Sequence, residues 1–174
     1  MMKRKQFLLF LMLCFVILGG CELTEDGSYV APITTYEKVA GSWNLTNLTQ
    51  VDEIAKAAST EPNEVQLTAA FGFSDFQMTL SVDASGQPTT YEVTGGAPNL
   101  FTEAGYWKLD NDFVHADGSS SQILLYSDAA KTSLVDKLTV TAIPGAVANL
   151  ELKLTRSTNE LAYVSYIYKL SPQN

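Results

Sequence analysis

The sequence predicts an all-β domain built from many short antiparallel strands, which is typical of a barrel or a sandwich. Apolar and polar residues alternate in several segments. The clearest is a half-buried strand in which polar residues separate Phe76, Met78, Leu80 and Val82. Turn signals follow one another at intervals of roughly 8 to 12 residues. No internal repeat is visible at a period of about 20 to 50 residues, which argues against a solenoid or a propeller.

The first strand is expected to begin at Gly41. Trp43 and Leu45 lie on one face of this segment, and Asn44 and Thr46 on the other, because side chains alternate along a strand. Eight further strands are expected at residues 76–83, 89–94, 106–110, 113–117, 122–126, 134–143, 149–155 and 161–170.

The resulting count of nine strands is odd, whereas a closed barrel of antiparallel strands needs an even number for its first and last strands to pair. Two alternatives restore an even number. A tenth strand lies in residues 65–71, which alternate with apolar side chains at Val65, Leu67, Ala69 and Phe71. Otherwise, residues 122–126 do not form a separate strand. If the strands close, we expect an up-and-down barrel of eight to ten strands.

One short helix is expected after the first strand. Apolar residues recur at helical spacing from Val51 to Ala58. Thr49 is the expected N-cap, with Asp52 three residues later, and the turn-forming residues 60–63 end the helix. Such a helix either lies over one mouth of a barrel or fills a loop.

Residues 1–20 have the parts of a signal peptide. Basic residues 3–5 precede the apolar run 7–18, which is shorter than the roughly 20 residues of a membrane-spanning helix. Residues 18–21 then resemble the lipobox of bacterial lipoproteins, in which the cysteine, here Cys21, is lipidated and becomes the new N-terminus. The alternative is an ordinary secretory signal with an incidental cysteine.

Residues 21–36 are expected to form an acidic, flexible tether that leads to the barrel domain at residues 37–172. Glu22, Glu25 and Asp26 closely follow the cysteine. In Bacteroidetes-type bacteria, acidic residues at this place resemble a signal for export to the outer face of the outer membrane. The alternative is a solvated acidic tether, so both the periplasmic and the cell-surface orientation stay open.

Charge and cysteine content exclude several classes of function. The formal net charge is −8, and removal of the basic residues 3–5 with the signal peptide would make it −11. Such a surface repels nucleic-acid phosphates and anionic lipid headgroups. Cys14 lies in the signal peptide and Cys21 at its end. The folded domain therefore has no thiol for a disulfide, a zinc site or a nucleophile.

No residue pattern predicts catalysis or metal binding. His115 is the only histidine, which excludes a site with several histidines and favours a structural role. Residues 110–112 resemble the start of a calcium loop, but Val114 stands at the third ligand position and the loop glycine is missing. The Gly-x-Ser-x-Gly motif of hydrolases is also absent. We therefore expect no enzyme activity, no metal and no cofactor.

Two segments resemble lipocalin-like lipoproteins of Bacteroidetes-type bacteria, many of which are domains of unknown function. One is residues 39–46, with Gly41-Ser42-Trp43, and the other is residues 105–113, which begin Gly105-Tyr106-Trp107. The resemblance covers residues 37–170 and implies a lipocalin-like up-and-down barrel in the cell envelope. In lipocalins, a basic residue near the end of the last strand packs over the first-strand tryptophan. The resemblance therefore implies packing of Lys169 over Trp43 at one end of the barrel.

The resemblance and the apolar strand faces together predict a non-catalytic barrel, anchored to the outer membrane, that holds a small apolar ligand. Its expected lining includes residues from strands around the circumference: Phe76, Met78, Trp107 and Leu152. A barrel of about eight strands is either filled by side chains or hollow enough for one ligand.

The alternative is a module of the cell envelope that is structural or binds proteins or glycans. Its barrel would be filled by side chains, and its outer surface would make the contacts. Tyr163, Tyr166 and Tyr168 in the last strand would then supply an exterior contact patch. Leu100 and Phe101, which follow the glycine pair 95–96, either form a portal or plug one end of the barrel.

Overall fold

The structure is a computed structural model that describes residues 32–173. The predicted signal peptide, Cys21 and most of the predicted tether lie outside the described residues. The described part contains two short α-helices, α1 (Thr35–Val39) and α2 (Glu53–Ala57), and a 3-10 helix (Phe73–Asp75). Its strands are β1 (Gly41–Asp52), β2 (Glu64–Gln66), β3 (Gln77–Val82), β4 (Pro88–Thr94), β5 (Ala104–Leu109), β6 (Gln122–Tyr126), β7 (Leu134–Ala142), β8 (Leu150–Thr158) and β9 (Leu161–Pro172). No helix between residues 32 and 173 is both long and apolar enough to span a membrane.

Eight of the strands close into an antiparallel barrel. β1 pairs with β3, each later strand pairs with the next, and β9 pairs back with β1. The remaining strand, β2, lies outside this circuit. It adds to the end of β1, where Val51 is opposite Glu64, whereas the start of β1 pairs with β3, where Gly41 is opposite Leu80. The prediction of an all-β antiparallel barrel with a short helix after the first strand is confirmed.

The predicted strand at residues 113–117 is wrong. β5 pairs directly with β6, and residues 110–121 form the loop between them. Asp110 fixes both ends of this loop, because its Oδ1 accepts the Gln122 N–H at 2.9 Å and its own N–H donates to the Gln122 carbonyl at 3.0 Å. The apolar side chains of Phe113 and Val114, which suggested a strand, are exposed.

The barrel has an even number of strands, as closure requires, but neither of the two alternatives predicted from the sequence gives the correct set of strands. Gln122–Tyr126 is a complete strand of the barrel, so the alternative that omits it is wrong. An extra strand does form near residues 65–71, but it covers only Glu64–Gln66 and lies outside the barrel. The alternation after it belongs to turns, because the Ala70 N–H donates back to the Leu67 carbonyl at 2.9 Å.

Helix α2 begins later than predicted and lies on the outer wall of the barrel. Its N-cap is Asp52, not Thr49, because the Asp52 Oδ1 accepts the N–H groups of Ile54 and Ala55. β1 runs on to Asp52 because it still pairs there with β9. Glu53 then ties the helix to the wall through Lys153, at 2.6 Å, and through the hydroxyl of Ser165. These two hydrogen bonds lower the pKa of the Glu53 carboxyl.

Trp43 is buried at one end of the barrel, with 4% of its surface exposed. Its indole N–H donates to the Val39 carbonyl at 2.9 Å, so α1 covers this end. The predicted packing of Lys169 over Trp43 is wrong. Lys169 pairs with Asn47 beyond a β-bulge, points outward and lies 3.8 Å from Glu151. Since successive side chains alternate between faces, the register places the lysine outside the barrel and the indole inside.

Candidate functional site: the mouth of the barrel

The barrel end opposite Trp43 is formed by two irregular segments. The loop 95–103 connects β4 to β5, and residues 67–76 connect β2 to β3. Between them lies an open cleft of about 220 Å³, which we call the mouth cleft. Apart from Gln50, its lining is apolar or aromatic: Leu67, Phe71, Phe73, Pro98, Leu100 and Tyr166.

Two glycines allow the two segments to touch through their backbones. Gly95 has φ +118°, and a Cβ added to it would lie 2.5 Å from the Asp75 carbonyl oxygen. Gly72 has φ +77°, and its added Cβ would lie 3.2 Å from the backbone of Gly96. Real Cβ atoms do not tolerate the first distance, and positive φ favours glycine at both positions. The frame of the mouth cleft therefore depends on both glycines.

Phe71 gives the mouth cleft an exposed aromatic wall. Its side chain is 70% exposed, and its backbone has φ +55°, a left-handed conformation that is uncommon for a bulky residue. Such outliers persist where the surrounding structure imposes them, and they concentrate at ligand sites. Phe73, two residues later, is buried below it, so the segment presents one aromatic ring to solvent and one to the core.

Phe101 plugs the barrel beneath the mouth cleft. It is 8% exposed, and its ring centroid lies 6.4 Å from that of Phe76 and 5.9 Å from that of Tyr168, both in edge-on arrangements. Of the two roles predicted for residues 100 and 101, Phe101 thus takes the plug, while Leu100 lines the cleft above it.

An ion pair holds the loop that carries the plug. Arg156, near the end of β8, donates from Nη1 to the Asp136 Oδ1 at 2.6 Å and from Nη2 to the Leu100 carbonyl. The Asp136 side chain is only 9% exposed, so its charge is compensated mainly by this guanidinium. The Tyr168 hydroxyl is buried without a hydrogen-bond partner among the described residues, and burial raises its pKa.

The four predicted ligand-lining residues come together in the core. Phe76, Met78, Trp107 and Leu152 belong to one buried cluster and are between 0 and 5% exposed. The Trp107 indole N–H donates to the Ser81 carbonyl at 2.8 Å, toward the end opposite the mouth. Phe76 reaches the plug. These side chains pack against one another and against large neighbours such as Tyr91, so they help to fill the interior.

Sequence reasoning missed the mouth cleft itself. The alternation of Leu67 and Phe71 predicts a tenth strand in one of the two alternatives, and no pattern in the sequence singles out Arg156. One usable signal was the glycine pair 95–96 followed by two large apolar residues, which suggested a special role for Leu100 and Phe101. The arginine that donates to the Leu100 carbonyl is contributed by a distant strand, and pairing it with that loop requires the barrel register.

A second, polar groove of about 430 Å³ lies on the outer wall beside β2. Three of its side chains form a chain of hydrogen bonds: Asn47 Nδ2 donates to Gln66 Oε1 at 2.8 Å, and Gln66 Nε2 donates to Thr49 Oγ1 at 2.8 Å. Glu151 and Lys169, which are paired on β8 and β9, also line the groove, and their charged groups lie 3.8 Å apart. Amide, hydroxyl and carboxylate groups of this kind offer hydrogen bonds to a polar partner.

The described part of the chain contains no side-chain cluster for a metal ion. No group of three or more histidine, cysteine, aspartate or glutamate side chains within residues 32–173 could hold a metal ion. The His115 Nε2 lies 3.2 Å from the Asp110 Oδ2 in the loop between β5 and β6. Cys21, the predicted lipid-attachment residue, lies outside the described residues.

Fold and cleft together define a closed eight-stranded antiparallel barrel with one extra strand and a small apolar cleft at one end. The chain belongs to a family described as a domain of unknown function, DUF5004, whose model matches residues 19–171. Comparison with curated proteins and with solved structures gives no match.

Proposed function

We propose that this protein is a non-catalytic, lipocalin-like lipoprotein, anchored to the outer membrane through Cys21, whose barrel binds a small apolar ligand at its mouth. The mouth cleft carries the proposal. It is an open site lined almost entirely by apolar and aromatic side chains, and one of them, Leu100, precedes the Phe101 plug in the chain. Ligand pockets typically combine such walls with a few polar groups; here Gln50 lines the cleft, and Arg156 donates to the carbonyl of its lining residue Leu100.

The size of the mouth cleft limits what it can hold. Its volume of about 220 Å³ is below the roughly 300–1,000 Å³ of typical pockets for drug-sized ligands. It therefore takes a short acyl chain, a single ring or the end of a longer apolar molecule. A larger ligand needs the space that Phe101 occupies.

Ligand binding is tested with a chain that starts at Glu22, since residues 32–173 contain the whole barrel and its core. We expect n-decanol, titrated in a calorimeter, to bind saturably. Phe71→Ser should weaken binding about tenfold, because burial of a phenyl ring contributes at least ~1.4 kcal/mol. The matched control is Val147→Ser, which removes an exposed apolar side chain from the β7–β8 loop at the opposite end.

The site of binding is tested with Trp107. A ligand confined to the mouth cleft should leave the emission of this buried indole nearly unchanged, whereas a ligand that enters the interior should shift it. Trp107→Phe identifies the source of any shift. Equal loss of affinity in the Phe71 and Val147 variants, or no saturable binding at all, would overturn the mouth cleft as a ligand site.

Membrane anchoring is tested separately at Cys21. We expect Cys21→Ala to block lipidation, so that unlipidated precursor accumulates and the protein is lost from the outer-membrane fraction. Three acyl chains anchor far more firmly than the marginal binding of one chain. Intact-mass analysis of the wild-type protein should show a mature form that begins at Cys21 and carries acyl mass. A mature form that begins elsewhere without acyl mass would contradict this assignment.

The second candidate function is an interaction module of the cell envelope with a filled barrel, which binds a protein or a glycan on its outer wall. The dense interior around Trp107 and the polar groove beside β2 favour it. The predicted tyrosine patch does not form, because Tyr166 and Tyr168 face the core and only Tyr163 is well exposed. Binding that is lost in Gln66→Ala but kept in Phe71→Ser would favour this function.

A further inference from the structure

Phe101 is the one buried residue of the loop 95–103. Its ring packs edge-on against both Phe76 and Tyr168, whose own rings lie 5.3 Å apart, although its backbone belongs to no strand. Within the described part of the chain, the backbone of residues 96–102 takes part in one hydrogen bond, which its Leu100 carbonyl accepts from Arg156. Packing of the Phe101 ring, rather than backbone hydrogen bonding, therefore holds this segment in the barrel.

We propose that Leu100 and Phe101 occupy the ligand position themselves. We further infer that the ligand carries a neutral carbonyl group, as in an amide or an ester, next to an aromatic or branched apolar group. This inference rests on the proposed function of the mouth and names the ligand class of that site. On binding, the ligand carbonyl replaces the Leu100 carbonyl at Arg156, and its apolar group replaces the Phe101 ring.

The electrostatics of the site select a neutral acceptor. Arg156 already pairs with Asp136 at 2.6 Å, so its charge is compensated before any ligand arrives. Its Nη2 nevertheless offers a strong, directional hydrogen-bond donor to the Leu100 carbonyl. A carboxylate at that place would stand close to the Asp136 carboxylate and would be repelled by it. A hydrocarbon would leave the Nη2 donor without a partner.

The buried hydroxyl of Tyr168 favours the ligand over the Phe101 ring at this position, because the ligand can form a hydrogen bond with it. Its ring packs against Phe101, but its buried hydroxyl has no hydrogen-bond partner among residues 32–173. A buried hydroxyl without a partner is unfavourable. An ester or amide has a second heteroatom besides the carbonyl oxygen, which can pair with this hydroxyl while the apolar group fills the space of Phe101.

The test uses three probes of one shape class: phenylacetamide, the carboxylate phenylacetate, and ethylbenzene, which has no carbonyl. Phe101→Ala removes the competing ring, so the affinity for the amide should rise about tenfold over the wild-type protein, as when a competing state is removed. Phe101→Leu, which keeps more of the packing, should give a smaller rise. It tests the same point if the alanine variant does not fold.

Two variants separate the proposed site from an adventitious cavity. Combining Phe101→Ala with Arg156→Met should reduce the affinity for the amide about tenfold but leave that for ethylbenzene unchanged, because a charge-assisted hydrogen bond is lost. Ile123→Ala opens a cavity in the core near Leu109, away from the mouth, and should not improve binding of the amide.

The inference is overturned if the Phe101 variants bind the amide no better than the wild type, or if all three probes gain equally. A preference for the carboxylate, or no effect of Arg156→Met, would also overturn it. These failures differ from failure of the proposed function. If decanol binding depends on Phe71 but not on Phe101 or Arg156, the mouth cleft remains the ligand site. Only the inference that the ligand carries a neutral carbonyl group would then be wrong.

Discussion

Trp43→Ala is expected to lower the free energy of unfolding by about 3–5 kcal/mol, the range for truncating a large core side chain. The indole is buried, belongs to the main core cluster and donates its N–H to the Val39 carbonyl. Its loss would leave a cavity at the barrel end and also leave that carbonyl without its partner. Equilibrium urea unfolding of the chain that begins at Glu22 measures the effect.

The control for this prediction is Trp43→Phe, which keeps much of the ring volume but removes the N–H donor. We expect it to cost about 1–3 kcal/mol, because a buried acceptor loses its hydrogen bond. If Trp43→Ala changed the stability by less than about 1 kcal/mol, the indole could not be a central part of the core.

Gly105→Ala is the second substitution with a large expected effect, although it adds only a methyl group. An added Cβ would lie 2.3 Å from the Tyr126 carbonyl oxygen and 3.0 Å from Cε1 of Tyr91. The first of these atoms is backbone of the paired strand β6, so the strands must separate to relieve the clash. We expect a loss of about 3 kcal/mol, at the upper end of the usual range for overpacking.

Gly96→Ala is the matched control, since a Cβ at Gly96 meets no atom within 4 Å and its φ is not in the left-handed region. Its stability should change by less than about 0.5 kcal/mol, as for most surface substitutions. Equal stability of the two alanine variants in urea would show that β5 and β6 can separate at Gly105 without cost.

The strands that could be predicted from sequence are those whose inward faces alternate without interruption. Leu150, Leu152 and Leu154 point into the barrel as their spacing requires. The same rule failed at residues 113–117 and 65–71. Alternation shows only that apolar residues recur at every second position. A strand forms only where a neighbouring strand can pair with it, and local spacing does not specify that neighbour.

The candidate site was predictable only in part, because its members come from distant positions along the chain. The buried state of Trp43 and Phe76 followed from their strands. Lys169 was placed wrongly, because its two neighbours along β9 point into the barrel and its own side chain therefore points outward. The meeting of Leu100 with Arg156 depends on how β8 is oriented in the closed barrel, which the sequence pattern alone does not determine.

Closure of the barrel through β1 and β9 has a consequence for biosynthesis. Trp43 pairs opposite Pro172, and Asp52 opposite Val164. The first barrel strand can therefore complete its pairing only with the last one, which lies almost the whole length of the domain away in sequence. Such distant pairings are slow to form, and unpaired strand edges promote aggregation meanwhile. A growing chain therefore cannot close the barrel before β9 has left the ribosome. β1 keeps one unpaired edge until then, and a chain truncated before β9 would remain an open sheet with two exposed edges.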